Sequence, residues 1–439
     1  MARHWLALVA ALLVATSASA EQPKRLVGHG GPIRAVTVSP DARHALTASF
    51  DYSAILWNLA TGTIVHRLDD HDAAVNDAVF AKDRIVTVAD DGVLRVFDAR
   101  TGKRIGVVAS PPVKVLDVAV SAEGRLTATA RWDRTVRLYD LEAMREVATL
   151  EGHRGNVNAV VFAGDTLHSA SEDGTIRSWP LERTDDAVTA KASPPILDHG
   201  WGINVLAALP DGRLAWGALD GTAGVVDPRT GEAVRLIEGR VPIQSVDVRE
   251  TKAGARLGFG DAGGTAHVFD VATLAPLDKG RVAHGPVFGL AFLPDESAAL
   301  HVGLDDFASI WRFEPSRPLA LQSQYPRRFQ ERASADADPG EIEFRRKCSV
   351  CHTLVPDGAN RAGPTLHGVF GRRAGAVGGY IYSDALANSP IVWTRETIGR
   401  LFGDGPDVVV PGTKMPIQRL KNVERREALL NYLEEATKP

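Results

Sequence analysis

Most of this chain follows one repeated pattern of hydrophobic and polar positions. Between residues 22 and 315 the pattern recurs about every 42 residues, and it contains short segments in which apolar and polar side chains alternate, as in Thr135–Tyr139. Alternation of this kind is typical of β-strands, and a pair such as Asp173-Gly174 is typical of the turn between two strands. Because one such unit buries too little apolar surface by itself, the series predicts a repeat protein in which neighbouring units stack.

Seven repeats can be counted from the way they end. Each closes on an aromatic or aliphatic residue followed by a polar residue or proline: Trp57-Asn58, Phe97-Asp98, Tyr139-Asp140, Trp179-Pro180, Val226-Asp227, Phe269-Asp270 and Trp311-Arg312. Six residues earlier most repeats carry an aspartate: Asp51, Asp91, Asp133, Asp173, Asp220 and Asp305, with the sixth repeat offset to Asp261. A Gly-His pair appears as Gly28-His29 and Gly152-His153, and in altered form as Asp70-His71, Asp198-His199 and Ala283-His284. These residues resemble the WD-repeat family, which implies an all-β, seven-bladed propeller over residues 21–315.

The resemblance also implies a role for the repeated polar residues. In that family the histidine and the aspartate hydrogen-bond within a blade and satisfy buried polar groups, so we expect them to be structural and not catalytic. The segment Lys24–His29 matches the end of a repeat and not its beginning. We therefore expect this N-terminal strand to complete the last blade and to close the ring without a covalent bond.

The first 20 residues have a different pattern. Arg3 is followed by an apolar run from Trp5 to Val14 and by an A-x-A sequence that ends at Ala20. This pattern predicts a signal peptide over residues 1–20 that is cleaved after Ala20, with an uncleaved anchor as the alternative. No later segment approaches 18 consecutive apolar residues, so we expect no membrane span in the mature chain.

Charge and composition change again after the repeats. Residues 316–337 are polar and irregular, which predicts a linker. Residues 21–339 contain 35 Lys and Arg against 43 Asp and Glu, whereas residues 340–439 contain 14 against 11. Neither part has the strong basic excess that is typical of nucleic-acid binding, so we expect no nucleic-acid partner.

The strongest chemical signal is the sequence Cys348-Ser349-Val350-Cys351-His352. Its two cysteines are the only ones in the chain, and C-x-x-C-H is the spacing of c-type haem attachment. Two thiols at this spacing can bond the haem vinyl groups while the following imidazole binds iron. A zinc site or a disulfide pair is the alternative, although zinc requires four ligands and no further cysteine exists.

A second axial ligand can be sought among three methionines. Met1 is the initiator and Met144 lies within the repeats, whereas Met415 follows His352 by 63 residues. Met415 is therefore the candidate. Ligation by histidine and methionine favours ferrous iron and fills both axial positions, which suits an electron carrier.

Residues 338–439 resemble class I cytochromes c of the mitochondrial type. The matching segments are Gly363–Arg372, Trp393 and Pro411–Met415. The resemblance implies a small all-α domain with one covalent haem c.

The resemblance also implies roles for individual residues. Cys348 and Cys351 would hold the haem, with His352 and Met415 on the iron. The carbonyl of Pro364 would accept a hydrogen bond from the proximal imidazole. Other haem-pocket residues follow by the same resemblance: Arg372, Tyr382 and Trp393 beside the propionates, and Thr413 near the methionine.

Local signals agree with helices at both ends of this segment. Asp338 before Pro339, with Glu341 close behind, predicts the start of a first helix. Asn422 is a plausible N-cap of a last helix. Its apolar residues recur at helical spacing and are expected to pack against the first helix: Val423, Leu429, Leu430 and Leu433.

Together these features favour an electron-transfer protein over an enzyme. Export and c-type haem attachment indicate the periplasm, where the propeller would dock a redox partner protein and the haem would carry single electrons. One alternative is an oxidoreductase whose propeller binds a second cofactor or substrate and passes electrons to the haem. Another is a redox or ligand sensor that uses the propeller as a scaffold.

Overall fold

Among the described residues, the strands lie between Arg25 and Arg312, and the helices lie between Pro339 and Ala436. The computed structural model describes residues 25–108, 110–183, 188–190, 194–251, 254–293, 298–313, 338–349, 352–356, 363–378, 380, 382–411, 413, 415, 419–420 and 422–438. The predicted signal peptide and the predicted linker lie outside these residues.

The strands form seven antiparallel sheets. After β1 (Arg25–Val27), blades 1 to 3 consist of β2 (Ile33–Val38), β3 (His44–Ser49), β4 (Ala54–Asn58) and β5 (Ile64–Leu68); β6 (Val75–Ala81), β7 (Arg84–Ala89), β8 (Leu94–Asp98) and β9 (Arg104–Val108); and β10 (Val115–Val120), β11 (Leu126–Arg131), β12 (Val136–Asp140) and β13 (Arg145–Leu150). Blade 4 consists of β14 (Val157–Ala163), β15 (Thr166–Ser171), β16 (Thr175–Arg183), β17 (Val188–Ala190) and β18 (Leu197–Asp198). Blades 5 to 7 consist of β19 (Ile203–Ala208), β20 (Leu214–Ala218), β21 (Thr222–Val226) and β22 (Ala233–Glu238); β23 (Ile243–Thr251), β24 (Gly254–Asp261), β25 (Thr265–Asp270) and β26 (Pro276–Arg281); and β27 (Gly289–Phe292), β28 (Ala298–Val302) and β29 (Phe307–Arg312).

The ring is closed by the N-terminal strand. β1 pairs antiparallel with β29, and Leu26 lies opposite Ala308, so the last blade takes its fourth strand from the start of the propeller. The innermost strand of each blade contacts that of the next blade, and β27 of blade 7 contacts β2 of blade 1. The predicted seven-bladed propeller and its closure by the N-terminal strand are therefore both confirmed.

Apolar side chains fill the spaces between blades. Seven buried clusters lie in the propeller, and each takes its residues from two neighbouring blades. In the cluster between blades 7 and 1, Leu26 from β1 packs with Trp57 and Leu300, all fully buried or nearly so. Because each cluster needs both of its blades, no blade can be removed without exposing apolar surface on two sides.

The innermost strands also carry polar links between blades. In six blades this strand has a β-bulge at its second residue, which leaves that residue without a regular backbone partner. Three of the bulged residues are asparagines whose side-chain amides donate to the next blade: Asn76 to Val115 O at 2.8 Å, Asn158 to Ile203 O at 3.0 Å and Asn204 to Ile243 O at 2.9 Å. These hydrogen bonds orient blade 2 against blade 3, blade 4 against blade 5, and blade 5 against blade 6.

The repeated histidine and aspartate form a buried network within a blade. In blade 1 the ring of His29 contacts Asp51 at 2.9 Å and Thr47 at 2.7 Å, and Trp57 Nε1 donates to the same Thr47 hydroxyl at 2.8 Å. Blade 4 repeats this network with its own four residues: His153, Asp173, Ser169 and Trp179. In these two blades the residues satisfy one another, as expected for a structural role. His284 departs from this expectation, because its Nε2 is buried and has no hydrogen-bond partner among the described residues.

Five helices follow in the described part of the C-terminal segment. They are α1 (Pro339–Lys347), α2 (Asp384–Ala387), α3 (Arg395–Gly403), α4 (Pro406–Val409) and α5 (Val423–Ala436). The Asp338 side chain accepts from the backbone N–H groups of Gly340 and Glu341, and Asn422 caps α5 by accepting from Arg425, so both predicted helix starts are confirmed. Among the described residues no helix is long and apolar enough to cross a membrane.

The outer helices pack against each other at close range. Both α1 and α3 contact α5, and Leu429, Leu430 and Leu433 of α5 are buried there. A Cβ at Gly340 would lie only 2.0 Å from the carbonyl oxygen of Ala428, so the crossing of α1 and α5 requires a residue without a side chain. The prediction that Val423 belongs to this apolar stripe is wrong: its side chain is 58% exposed, because it is the first residue of the helix and faces away from the core.

A buried histidine makes the stability of the propeller depend on pH. His301 occupies in β28 the position that Thr47 occupies in β3, and burial, with a smaller contribution from Arg25, lowers its pKa from 6.5 to about 4. In the folded protein this imidazole stays neutral, whereas in the unfolded chain it binds a proton below about pH 6.5. The unfolded chain therefore binds more protons, and the free energy of unfolding decreases progressively as the pH falls from 6.5 towards 4. Between pH 7 and pH 5 we expect a loss of about 2 kcal/mol from this group.

The variant His301→Gln removes the contribution of this imidazole to the pH dependence of the unfolding free energy, because glutamine has no titratable group. We expect the difference in unfolding free energy between pH 7 and pH 5 to be smaller in His301→Gln than in the parent protein. Urea unfolding followed by tryptophan fluorescence at the two pH values measures it. An identical pH dependence in the two proteins would show that His301 does not remain neutral in the folded state.

Candidate functional site

One cavity brings together the chemically distinctive residues of the C-terminal segment. It contains about 1240 Å³ of space not filled by protein, open solvent at its mouth included. Eight of the predicted site residues line it: Cys348, His352, Pro364, Arg372, Tyr382, Trp393, Thr413 and Met415. Cys351, the ninth, lies outside the described residues. Most of the remaining wall is apolar, with Leu366, Val369, Leu386, Ile398, Leu401, Phe402, Val410 and Leu433.

The end of α1 positions the cysteine and the histidine. The backbone N–H of Cys348 donates to Phe344 O at 2.8 Å and ends the helix, which leaves the thiol buried at the cavity wall. The backbone N–H of His352 donates to Cys348 O at 2.8 Å, and the His352 side chain lines the same cavity. This hydrogen bond fixes the position of His352 relative to the end of α1.

The loop at Gly363 and Pro364 orients the imidazole. Nδ1 of His352 lies 2.7 Å from the carbonyl oxygen of Pro364, which can only accept a hydrogen bond. This contact selects the tautomer with the proton on Nδ1 and leaves the lone pair of Nε2 for another partner. A Cβ at Gly363 would lie 2.3 Å from Cε1 of the ring, so only glycine allows the loop to approach the imidazole so closely.

Met415 reaches the cavity from a different part of the chain. The backbone N–H of Met415 contacts the hydroxyl of Thr413 at 3.2 Å, and Thr413 N donates to Val410 O at 3.0 Å, just after α4. Its side chain packs against the same apolar cluster as Phe344 and Leu429. The turn that ends α4 therefore places the thioether in the cavity that also contains His352.

Arg372, Tyr382 and Trp393 form a more polar part of the lining. The Arg372 guanidinium donates to the carbonyls of Thr365 and His367, each at 2.7 Å, and the backbone N–H of Trp393 donates to Arg372 O at 2.9 Å. Burial lowers the pKa of Arg372 and raises the pKa of Tyr382. Among the residues the structure describes, no carboxylate forms an ion pair with Arg372, and its half-buried positive charge lines the cavity.

This donor set fits a haem better than a bare metal ion. Within the described ranges no group of three or more histidine, cysteine, aspartate or glutamate side chains is placed to hold a metal. A haem brings its own four equatorial nitrogens and needs only one or two axial ligands from the protein, with thiols for covalent attachment. The apolar wall suits a porphyrin face, and the guanidinium of Arg372 suits an anionic substituent such as a propionate.

Tyr52 also lines the cavity, although it belongs to the propeller. It lies in the turn between β3 and β4 of blade 1. The sequence pattern did not indicate this residue, because its position relative to the cavity depends on how distant parts of the chain pack. A local signal exists only in comparison with other blades, four of which have glycine at the equivalent position: Gly92, Gly174, Gly221 and Gly264.

The fold and its internal hydrogen bonds define a β-propeller built from WD repeats. The family described as "WD domain, G-beta repeat" matches residues 20–58, 102–140 and 144–180. These segments include the blades in which the network of histidine, aspartate, hydroxyl and tryptophan is complete.

A second set of relatives consists of cytochromes c. Cytochrome c of Gibberella zeae is 40% identical over 106 residues, which are 24% of this chain and 99% of that protein. Cytochrome c type-1 of Ascaris suum is 43% identical over 103 residues (24% of this chain, 90% of that protein), and cytochrome c2 of Blastochloris viridis is 40% identical over 103 residues (24% and 80%). Since nearly the whole of such a protein is matched at this identity, the chain belongs to the cytochrome c family. This relationship implies a covalently bound haem c and suggests electron transfer.

Proposed function

We propose that this chain is an exported electron-transfer cytochrome. In this proposal residues 338–439 form a class I cytochrome c domain that would hold one haem c through Cys348 and Cys351, and His352 and Met415 would be the protein ligands of its iron. The observation that carries the proposal is the cavity itself, because it contains the Cys348 thiol, the His352 imidazole and the Met415 thioether together.

Each residue has a defined task in this site. A bound haem would supply a one-electron redox couple. Pro364 holds His352 in the tautomer whose Nε2 can bind a metal, and Gly363 allows that contact. Met415 contributes a neutral, soft ligand, which favours the ferrous state. If His352 and Met415 both bind the iron, the haem would leave no coordination position for a substrate, and this favours electron transfer over an oxidoreductase reaction at the iron.

The propeller has the docking role in this proposal. It would bind a redox partner protein and so keep that partner near the haem. A partner bound to the propeller would stay near the haem at roughly millimolar effective concentration, so a weak docking surface is sufficient. The signal-peptide pattern of residues 1–20 and the covalent type of haem attachment support the periplasm as the place where this happens.

The variant Met415→Leu tests the axial ligation. Leucine has a similar size but no sulfur, so the ferrous iron is expected to lose its sixth ligand, to bind carbon monoxide rapidly, and to show a lower midpoint potential. Stopped-flow mixing of the reduced protein with carbon monoxide, together with a redox titration, measures both effects.

Met144→Leu is the matched control, because Met144 packs in the cluster between blades 2 and 3. We expect this variant to bind carbon monoxide as slowly as the parent protein and to keep its potential. If Met415→Leu also retained the parent behaviour, Met415 would not be the iron ligand and this part of the proposal would fail.

A further inference from the structure

Tyr52 brings a propeller side chain to the wall of the cavity that contains His352 and Met415. We propose that the ring of Tyr52 covers the rim of the haem pocket and restricts direct access of small redox molecules to the haem. Electron exchange is then directed towards partners that engage the propeller. This inference rests on the proposed function, because it requires a haem in the cavity.

The backbone at Tyr52 shows that this position does not favour a large residue. Its φ angle is 71°, in the left-handed region. At the equivalent turn position four other blades have glycine with φ between 80° and 93°: Gly92, Gly174, Gly221 and Gly264. A non-glycine residue in this conformation costs on the order of 1 kcal/mol. Blade 1 therefore carries a tyrosine, and blade 3 an arginine (Arg134), where the turn itself favours glycine; of the two, only Tyr52 lines the cavity.

The residues on both sides of Tyr52 are fixed by the buried network of the blade. The Asp51 carboxylate accepts from the backbone N–H of Ser53 at 3.0 Å and from its hydroxyl at 2.6 Å, in addition to its contact with His29. The backbone N–H of Tyr52 contacts Ser49 O at 3.2 Å. Because the turn is held from both ends, the side chain of Tyr52 is presented by a rigid support and not by a mobile loop.

An aromatic ring at this place has two physical consequences. It excludes a dissolved reductant from part of the rim, which slows electron transfer that depends on close approach. It also displaces water from the pocket, and lower solvent exposure favours the less charged ferrous state. Covering by Tyr52 should therefore decrease the reactivity towards small reductants and raise the midpoint potential.

The variant Tyr52→Gly removes the ring and places in blade 1 the residue that four other blades already have. We expect the propeller to remain folded, the rate of reduction of the ferric full-length protein by ascorbate to rise several-fold, and the midpoint potential to fall. Tyr52→Phe keeps the ring and is expected to retain the parent rate and potential.

Arg134→Gly is the matched control. Arg134 occupies the same turn position in blade 3 with a φ angle of 69°, its side chain is exposed, and it does not line the cavity. We expect this variant to leave both the rate and the potential unchanged. Unchanged values in Tyr52→Gly, or equal changes in Tyr52→Gly and Arg134→Gly, would overturn the role of Tyr52. Failure of the proposed function is a distinct result, since the parent protein itself would then contain no low-spin haem.

Discussion

The protein in which Cys348 and Cys351 are both replaced by alanine is expected to contain no covalent haem and to transfer no electrons. The thiols are the only two in the chain, and Cys348 is buried at the wall of the cavity. Without the haem this apolar cavity has nothing to pack against, so α1, α3 and α5 should also lose stability. Haem staining of the denatured protein after electrophoresis measures the first effect, and far-UV circular dichroism measures the second.

Ser349→Ala is the control for this experiment, because it changes a buried residue between the two cysteines and keeps the C-x-x-C-H spacing. We expect it to stain for haem as strongly as the parent protein. A haem-stained band from the double alanine variant would show that the haem is attached through other residues.

The variant Leu26→Ala is expected to lower the unfolding free energy of the propeller by about 2–5 kcal/mol. Leu26 is fully buried in the cluster between blades 7 and 1, and it belongs to the strand that closes the ring. The variant leaves a cavity next to Trp57, and it weakens the attachment of β1 to β29. Detachment of β1 would expose the backbone edge of the last blade.

Val27→Ala is the neighbouring control, since the Val27 side chain is 65% exposed on the same strand. Its expected effect is below about 0.5 kcal/mol. Urea unfolding followed by tryptophan fluorescence compares the two, because Trp57 lies in the affected cluster. Equal losses in the two variants would contradict the account of ring closure, in which the buried side of β1 carries the stabilisation.

Much of the propeller could be predicted from the sequence because its rules are local and repeated. The alternation of apolar residues and the seven similar endings predict strands and blades, and the match of Lys24–His29 to the end of a repeat predicts the closing strand. The asparagine links between blades were not predicted. Asn76 and its equivalents bond to a different blade, and a pattern analysed one strand at a time contains no information about that contact.

The candidate site also contains residues that could be predicted from the sequence and residues that could not. The C-x-x-C-H motif and the two helix caps are local signals, so Cys348, His352 and the starts of α1 and α5 could be predicted. Met415 could be predicted by elimination, because few methionines exist. Tyr52 could not, since its place at the cavity depends on the packing of the propeller against the C-terminal segment. Val423 was misassigned because helical spacing alone does not show which face of the first turn is covered.

The proposed function requires one haem that is bound covalently through Cys348 and Cys351 and whose iron is bound by His352 and Met415. The most direct test is to produce the full chain in a host that matures c-type cytochromes. The absorption spectrum is measured on the purified native protein, and the mass is measured after a wash with denaturant, which removes any haem that is not covalently bound. We expect the mass of the chain without residues 1–20 plus one haem, and the bands of a six-coordinate, low-spin haem in the native protein. A mass without haem, or a native spectrum without low-spin bands, would contradict the account.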